Sequence, residues 1–200
     1  MRDSGARPEE VGGGEVAAAV RAKLRADLVA LRRAVRECRL CPGRGGGIPG
    51  RGEPGSVLFL LAGMPGPGAS SSNPWGSWRE TVYAGTRELW GRDAESVYLS
   101  TALRCPAARV TRKEVQRCSA YLAEELHLVG PRLVVVSGRV AAVALRDALG
   151  GAVPADPRAG DSFTLSATTF LFDLDVARVE GDEKASRIFW EVLKKAGDFL

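Results

Sequence analysis

Residues 56–68 read SVLFLLAGMPGPG, six uninterrupted apolar residues that stop at glycine and run into a loop of Pro and Gly. An apolar run this short, with no polar alternation, predicts a strand covered on both faces, as in a parallel sheet. RLVVVSG at 132–138 repeats the pattern, and SVYLSTAL (96–103) and TTFLFDLD (168–175) are two weaker versions of it. Helical periodicity fills the gaps, at about 78–91, 112–128, 139–149 and 183–196. Strands alternating with helices predict a three-layer α/β/α domain with a mainly parallel four-stranded sheet. In such a sheet a ligand sits beyond the carboxyl ends of the strands, so the loops after each strand carry the candidate site.

Upstream, residues 1–14 are polar and glycine-rich and predict a disordered tail, leaving 15–200 as one domain. The segment after the tail predicts a helix, with Leu24, Leu28, Leu31 and Val35 on one face and arginines on the others. A chain of 200 residues with 45% apolar content can bury a core without disulfides. It has no secretory h-region and no run long enough to span a bilayer, which predicts a cytoplasmic, monomeric protein with no membrane partner. In a reducing compartment the four cysteines, Cys38, Cys41, Cys105 and Cys118, then read as metal ligands rather than two disulfides.

Basic residues crowd around those cysteines. Between Arg21 and Arg51 stand nine Lys and Arg against Asp27 and Glu37; Arg104 directly precedes Cys105, and Arg109, Arg112, Lys113 and Arg117 lie between it and Cys118. A metal joining the four thiols brings both clusters into one positive surface suited to a polyanion, whereas arginine enrichment through base composition alone predicts solvated side chains. The first loop, GMPGPGASSSNPWGSW, has Gly63, Gly66 and Gly68 where a backbone can approach a ligand, but matches neither GxGxxG nor a P-loop. Trp75 and Trp78 beside it read either as stacking platforms for a base or as a hydrophobic lid.

The order CxxC, Gly/Arg loop, apolar strand, Pro-Gly loop, VYLSTALRC, YLAEELHLVGPRLVVVSGRVAAVAL and SRIFWEVLKK resembles the iron-sulfur uracil-DNA glycosylases, family 4 of that superfamily, over about residues 24–196. The resemblance implies the superfamily fold, DNA as partner, and a [4Fe-4S] cluster on Cys38, Cys41, Cys105 and Cys118, with zinc as the chemical competitor. It also implies a base pocket at Gly63, Met64, Pro65, Gly66, Trp75 and Thr101. DNA contacts are expected at Arg109, Arg112, Lys113 and Arg139.

The catalytic positions depart from the family pattern. Where the family has GEAPG this chain has Ala62-Gly63-Met64-Pro65-Gly66, so the acid is Gly63. The stacking Phe falls on Trp75, the base-reading Asn on Thr101, and the late His on the segment holding Asp173 and Asp175. His127, the sole histidine, ends a helix and reads as structural. These departures predict a DNA-binding protein linked to repair, acting on single-stranded or lesion-containing DNA, with standard uracil excision weak or lost. The alternative is a glycosylase for uracil or another damaged base, its pocket rebuilt around Asp173 or Asp175.

Overall fold

The computed structural model describes residues 11–91 and 96–200, with side chains from residue 14 onward. In chain order the elements are α1 (Val11–Arg36), β1 (Leu58–Ala62), α2 (Trp78–Trp90), β2 (Val97–Thr101), α3 (Arg112–Val129), β3 (Leu133–Ser137), α4 (Gly138–Leu149), β4 (Ser162–Leu165), β5 (Thr168–Asp173) and α5 (Glu183–Ala196). The sheet order is β2-β1-β3-β5-β4, with the first four strands parallel and β4 antiparallel to β5. From β1 the chain moves outward to β2 and then back across to β3, so the order reverses between β1 and β3, the position where such sheets open a crevice.

The apolar runs behave as the sequence predicts, and their parity divides the core. Phe59, Leu61, Tyr98, Val134, Val136, Phe170 and Phe172 face one layer with α1, α3 and α4, where Leu28, Leu122 and Leu145 meet them. Leu58, Leu60, Ala62, Val97, Leu99, Leu133, Val135 and Leu171 face the other, against Trp78 and Val82 of α2 and Phe189 and Leu193 of α5. Both faces of the parallel strands are covered, which is why these segments read as unbroken apolar runs.

Two expectations are corrected. The sheet has five strands, because SFTL at 162–165 adds an edge strand to β5 through a two-residue turn, Ser166 taking φ of 55°. Only Phe163 ties β4 to the core, stacking on Phe170 at 4.8 Å; its other residues are exposed, so its sequence carries no buried-strand signal. The second correction concerns the amino-terminal tail. α1 begins at Val11, so 11–14 belong to a helix, while 1–10 lie outside the described residues. No helix among the described residues is long and apolar enough to cross a membrane.

Candidate functional site

A cavity of about 510 Å3 opens beyond the carboxyl ends of β3 and β5, between the first turns of α4 and the segment 155–159. Asp173 ends β5 beside Ser137 of β3, and the chain after it is clamped by that serine: Ser137 Oγ donates to the Leu174 carbonyl at 2.9 Å and accepts from the Val176 N–H at 2.7 Å. Asp175 then caps a short 3-10 turn, its Oδ1 accepting from the Ala177 N–H at 3.1 Å. Its side chain packs on Gly138, which must be glycine on two counts: φ is +83°, and a Cβ there would stand 2.8 Å from the Asp175 Cβ. Both candidate carboxylates therefore line one cavity, together with Arg139.

Asp173 is the chemically unusual group. It is 6% exposed; Oδ1 accepts from the Leu174 N–H at 2.6 Å, and Oδ2 is buried with no hydrogen-bond partner. Burial pushes its carboxyl up to about 8, against the opposing pull of the Leu174 N–H. Near neutral pH the group is mostly protonated, so its buried Oδ2 is equipped to donate a hydrogen bond rather than carry charge. Arg146, Arg158 and Arg178 complete a basic rim that sequence reasoning missed. The only signal for Arg158 is a charged residue in the Pro- and Gly-rich stretch PADPRAGD, which reads as an ordinary turn.

The other half of the expected pocket lies elsewhere. Gly63, Met64, Pro65, Gly66, Trp75 and Thr101 do not line this cavity. The first loop folds on itself: Ser77 N–H donates to the Pro67 carbonyl at 3.0 Å, and a Cβ on Gly66 would stand 2.1 Å from the Trp75 carbonyl oxygen. Gly66 thus serves close packing against Trp75, whereas Gly63 faces Val140 and Gly68 has open space beside it. Trp75 is 1% exposed and donates its indole N–H to the Ser100 carbonyl at 2.8 Å, which makes it a core residue and corrects its reading as an open stacking face. Thr101 is fully buried with its hydroxyl unpartnered. His127 is exposed in the last turn of α3 and does not line the cavity.

The thiols come together from three segments. Cys38 and Cys41 follow α1, Cys105 follows β2, and Cys118 is on α3. Burial raises the Cys105 thiol, and the neighbouring Cys118, Cys38 and Cys41 raise it further; burial likewise raises Cys118, with Cys41 and Cys38 adding to the effect. Cys105 therefore lies within electrostatic reach of the other three sulfurs. Tyr121 beside them is pushed up to about 12, chiefly by its hydrogen bond with Cys38. Among the described residues no three His, Cys, Asp or Glu side chains are gathered closely enough to hold one metal ion. A [4Fe-4S] cluster would take one thiolate on each of its four irons. The donor set, four free cysteines from three segments, is of the kind such a cluster takes.

Two polar structures brace this region. Arg44 reaches across from the CxxC loop to Glu114 at 2.7 Å and to the carbonyls of Pro106 and Arg109. The backbone N–H of Thr111 and the Arg44 guanidinium together hold the Glu114 carboxyl down at about 2. Deeper in, Arg104 and Glu125 form a fully buried ion pair at 2.8 Å, joined by Ser100 Oγ and by the Gly50 N–H at 3.1 Å. This removes Arg104 from the expected basic surface. Arg109 and Lys113 are exposed as expected, but Arg112 is engaged in a two-pronged pair with Asp147.

Comparison with known proteins agrees with this architecture. The family model described as "Uracil DNA glycosylase superfamily" matches residues 75–189, more than half of the chain, and the chain belongs to that superfamily. A segment of 67 residues, 32% of the chain, is 40% identical to the "Type-5 uracil-DNA glycosylase" of Pyrobaculum aerophilum. That segment spans 30% of the relative's length. The relative carries the type-5 name whereas the sequence resemblance was to family 4, so membership stands at the level of the superfamily.

Proposed function

We propose that the protein is an iron-sulfur DNA-binding member of the superfamily, linked to DNA repair, in which standard uracil excision is weak or lost. The observation that carries this reading is the pair of positions at the ends of β1 and β2. Gly63 has no side chain with which to orient water, and Thr101 is fully buried where a base edge would have to be read. Cys38, Cys41, Cys105 and Cys118 would hold a [4Fe-4S] cluster. When bound it cross-links the loop after α1 to the segment after β2 and to α3, and so braces the exposed Arg109 and Lys113 for phosphate contact. Binding of labelled uracil-containing and undamaged oligonucleotides, measured across salt concentration, tests the reading. The expected result is affinity that falls steeply with salt. No binding at low salt overturns it.

Asp173 supports a second reading, a rebuilt pocket that excises a damaged base. A protonated carboxyl at a strand end can hydrogen-bond an acceptor on an extruded base, and the arginine rim offsets charge gathering on a leaving base. Incubation with a panel of lesion-containing oligonucleotides separates the two readings. Base release that disappears in Asp173→Ala supports the second, and its absence across the panel supports the first.

A further inference from the structure

At the other edge of the sheet from the cavity, two adjoining clefts of about 220 and 420 Å3 run beside β2 and share Arg32 and Arg51. One end reaches Ser71 of the loop after β1, and the other reaches Val97 at the start of β2. The groove therefore follows the five-residue strand, a length of roughly 16 Å. Its charge is one-sided. Arg32 uses its guanidinium on the Gly50 and Gly52 carbonyls, which fixes the loop without neutralising the cation. Arg36 and Arg51 have no ion pair or side-chain hydrogen bond among the described residues, whereas Arg79 pairs with Glu80 at 2.9 Å and lies over the Tyr83 ring at 4.7 Å. Glu53 is the acid in the groove wall, and Arg25 engages it at 3.1 Å.

A narrow cationic track with an aromatic wall, leading toward the carboxyl ends of the strands, fits a polyanion of regular charge spacing. We infer that this groove binds the phosphodiester backbone of single-stranded nucleic acid, an inference that rests on the DNA-binding reading and adds to it a contact surface away from the cavity. Clefts of this volume admit one strand and not a duplex, and their length covers several phosphates at ~3.4 Å per nucleotide. Arg36 and Arg51 are the contacts with uncommitted charge. Arg51 meets β2 through its backbone, exchanging hydrogen bonds with Leu99 at 2.8 and 2.7 Å, so its side chain can be replaced without breaking that bridge.

The test is fluorescence anisotropy with a labelled lesion-free oligothymidylate and a duplex of equal length, across salt, for the wild type, Arg36→Ala/Arg51→Ala and Arg36→Lys/Arg51→Lys. Loss of two single-strand phosphate contacts should flatten the log–log salt slope by about 1.4 and weaken binding about 25-fold at 0.1 M salt, with the lysine variant retaining most of the slope. Thermal melting confirms that both variants fold. Wild-type binding that the alanine variant leaves unchanged overturns the groove while the DNA-binding reading stands. A loss confined to the duplex overturns the single-strand assignment. A wild type that binds neither oligonucleotide fails both.

Discussion

Replacing Asp173 by Asn should make the protein more stable at neutral pH, the opposite of the usual effect of mutating a buried residue. The carboxyl rises from 3.8 to about 8 because folding strips it of water and leaves Oδ2 unpartnered. Between those values the unfolded chain has released the proton that the folded chain keeps. Stability is therefore full below pH 4, falls as pH rises toward 8, and levels off above it. At about 1.4 kcal/mol per unit, the three units between 3.8 and pH 7 amount to ~4 kcal/mol, an upper value because local opening relaxes the penalty. An asparagine never ionises, and its oxygen still accepts from the Leu174 N–H as Oδ1 does at 2.6 Å. Urea denaturation of both proteins at pH 5, 6, 7 and 8 measures the effect. The difference should widen by about 1 kcal/mol per unit up to pH 7. Parallel pH profiles, or an asparagine variant less stable at pH 7, would refute the account of Asp173 as a buried, protonated acid.

Protein purified anaerobically should be brown and hold about four irons per chain, and Cys→Ala at 38, 41, 105 or 118 should lower both iron content and stability. A colourless protein with one zinc would overturn the cluster. Arg104→Ala leaves Glu125 charged and unpaired in the core and should cost about 3–5 kcal/mol in denaturant unfolding, while the double replacement Arg104→Met/Glu125→Leu should recover much of it. Trp75→Ala should cost about 3–5 kcal/mol through the cavity it opens. Trp75→Phe should retain most of the stability and lose roughly one hydrogen bond's ~1 kcal/mol.

The sequence made the parallel strands legible because they are buried on both faces, and Leu58–Ala62 and Leu133–Ser137 could hardly be anything else. β4 escaped because it is an exposed edge, held mainly by the Phe163 ring. Cys38, Cys41, Cys105 and Cys118 could be grouped from their rarity alone. Their bracing by Arg44 and Glu114 could not, since those residues are 70 apart and meet only through the fold. Arg104 and Trp75 show why residue type misleads at a site. One reads as a surface cation and the other equally as a stacking ring or a hydrophobic lid, yet Arg104 neutralises Glu125 in the core and Trp75 is buried with β1 and α2. Asp173 was a candidate only because the late His of the family pattern falls on its segment; its protonation depends on a burial that no local pattern records.

Single-turnover cleavage of uracil-containing single- and double-stranded oligonucleotides by the anaerobically purified protein, followed from pH 5 to 8, tests the proposed function most directly. Loss of one stabiliser of the departing base typically costs on the order of 10² to 10³ in rate. With Gly63 in the place of an acid and Thr101 buried, the expected result is binding of both substrates with no appreciable uracil release at pH 7. Fast uracil excision at neutral pH would contradict it.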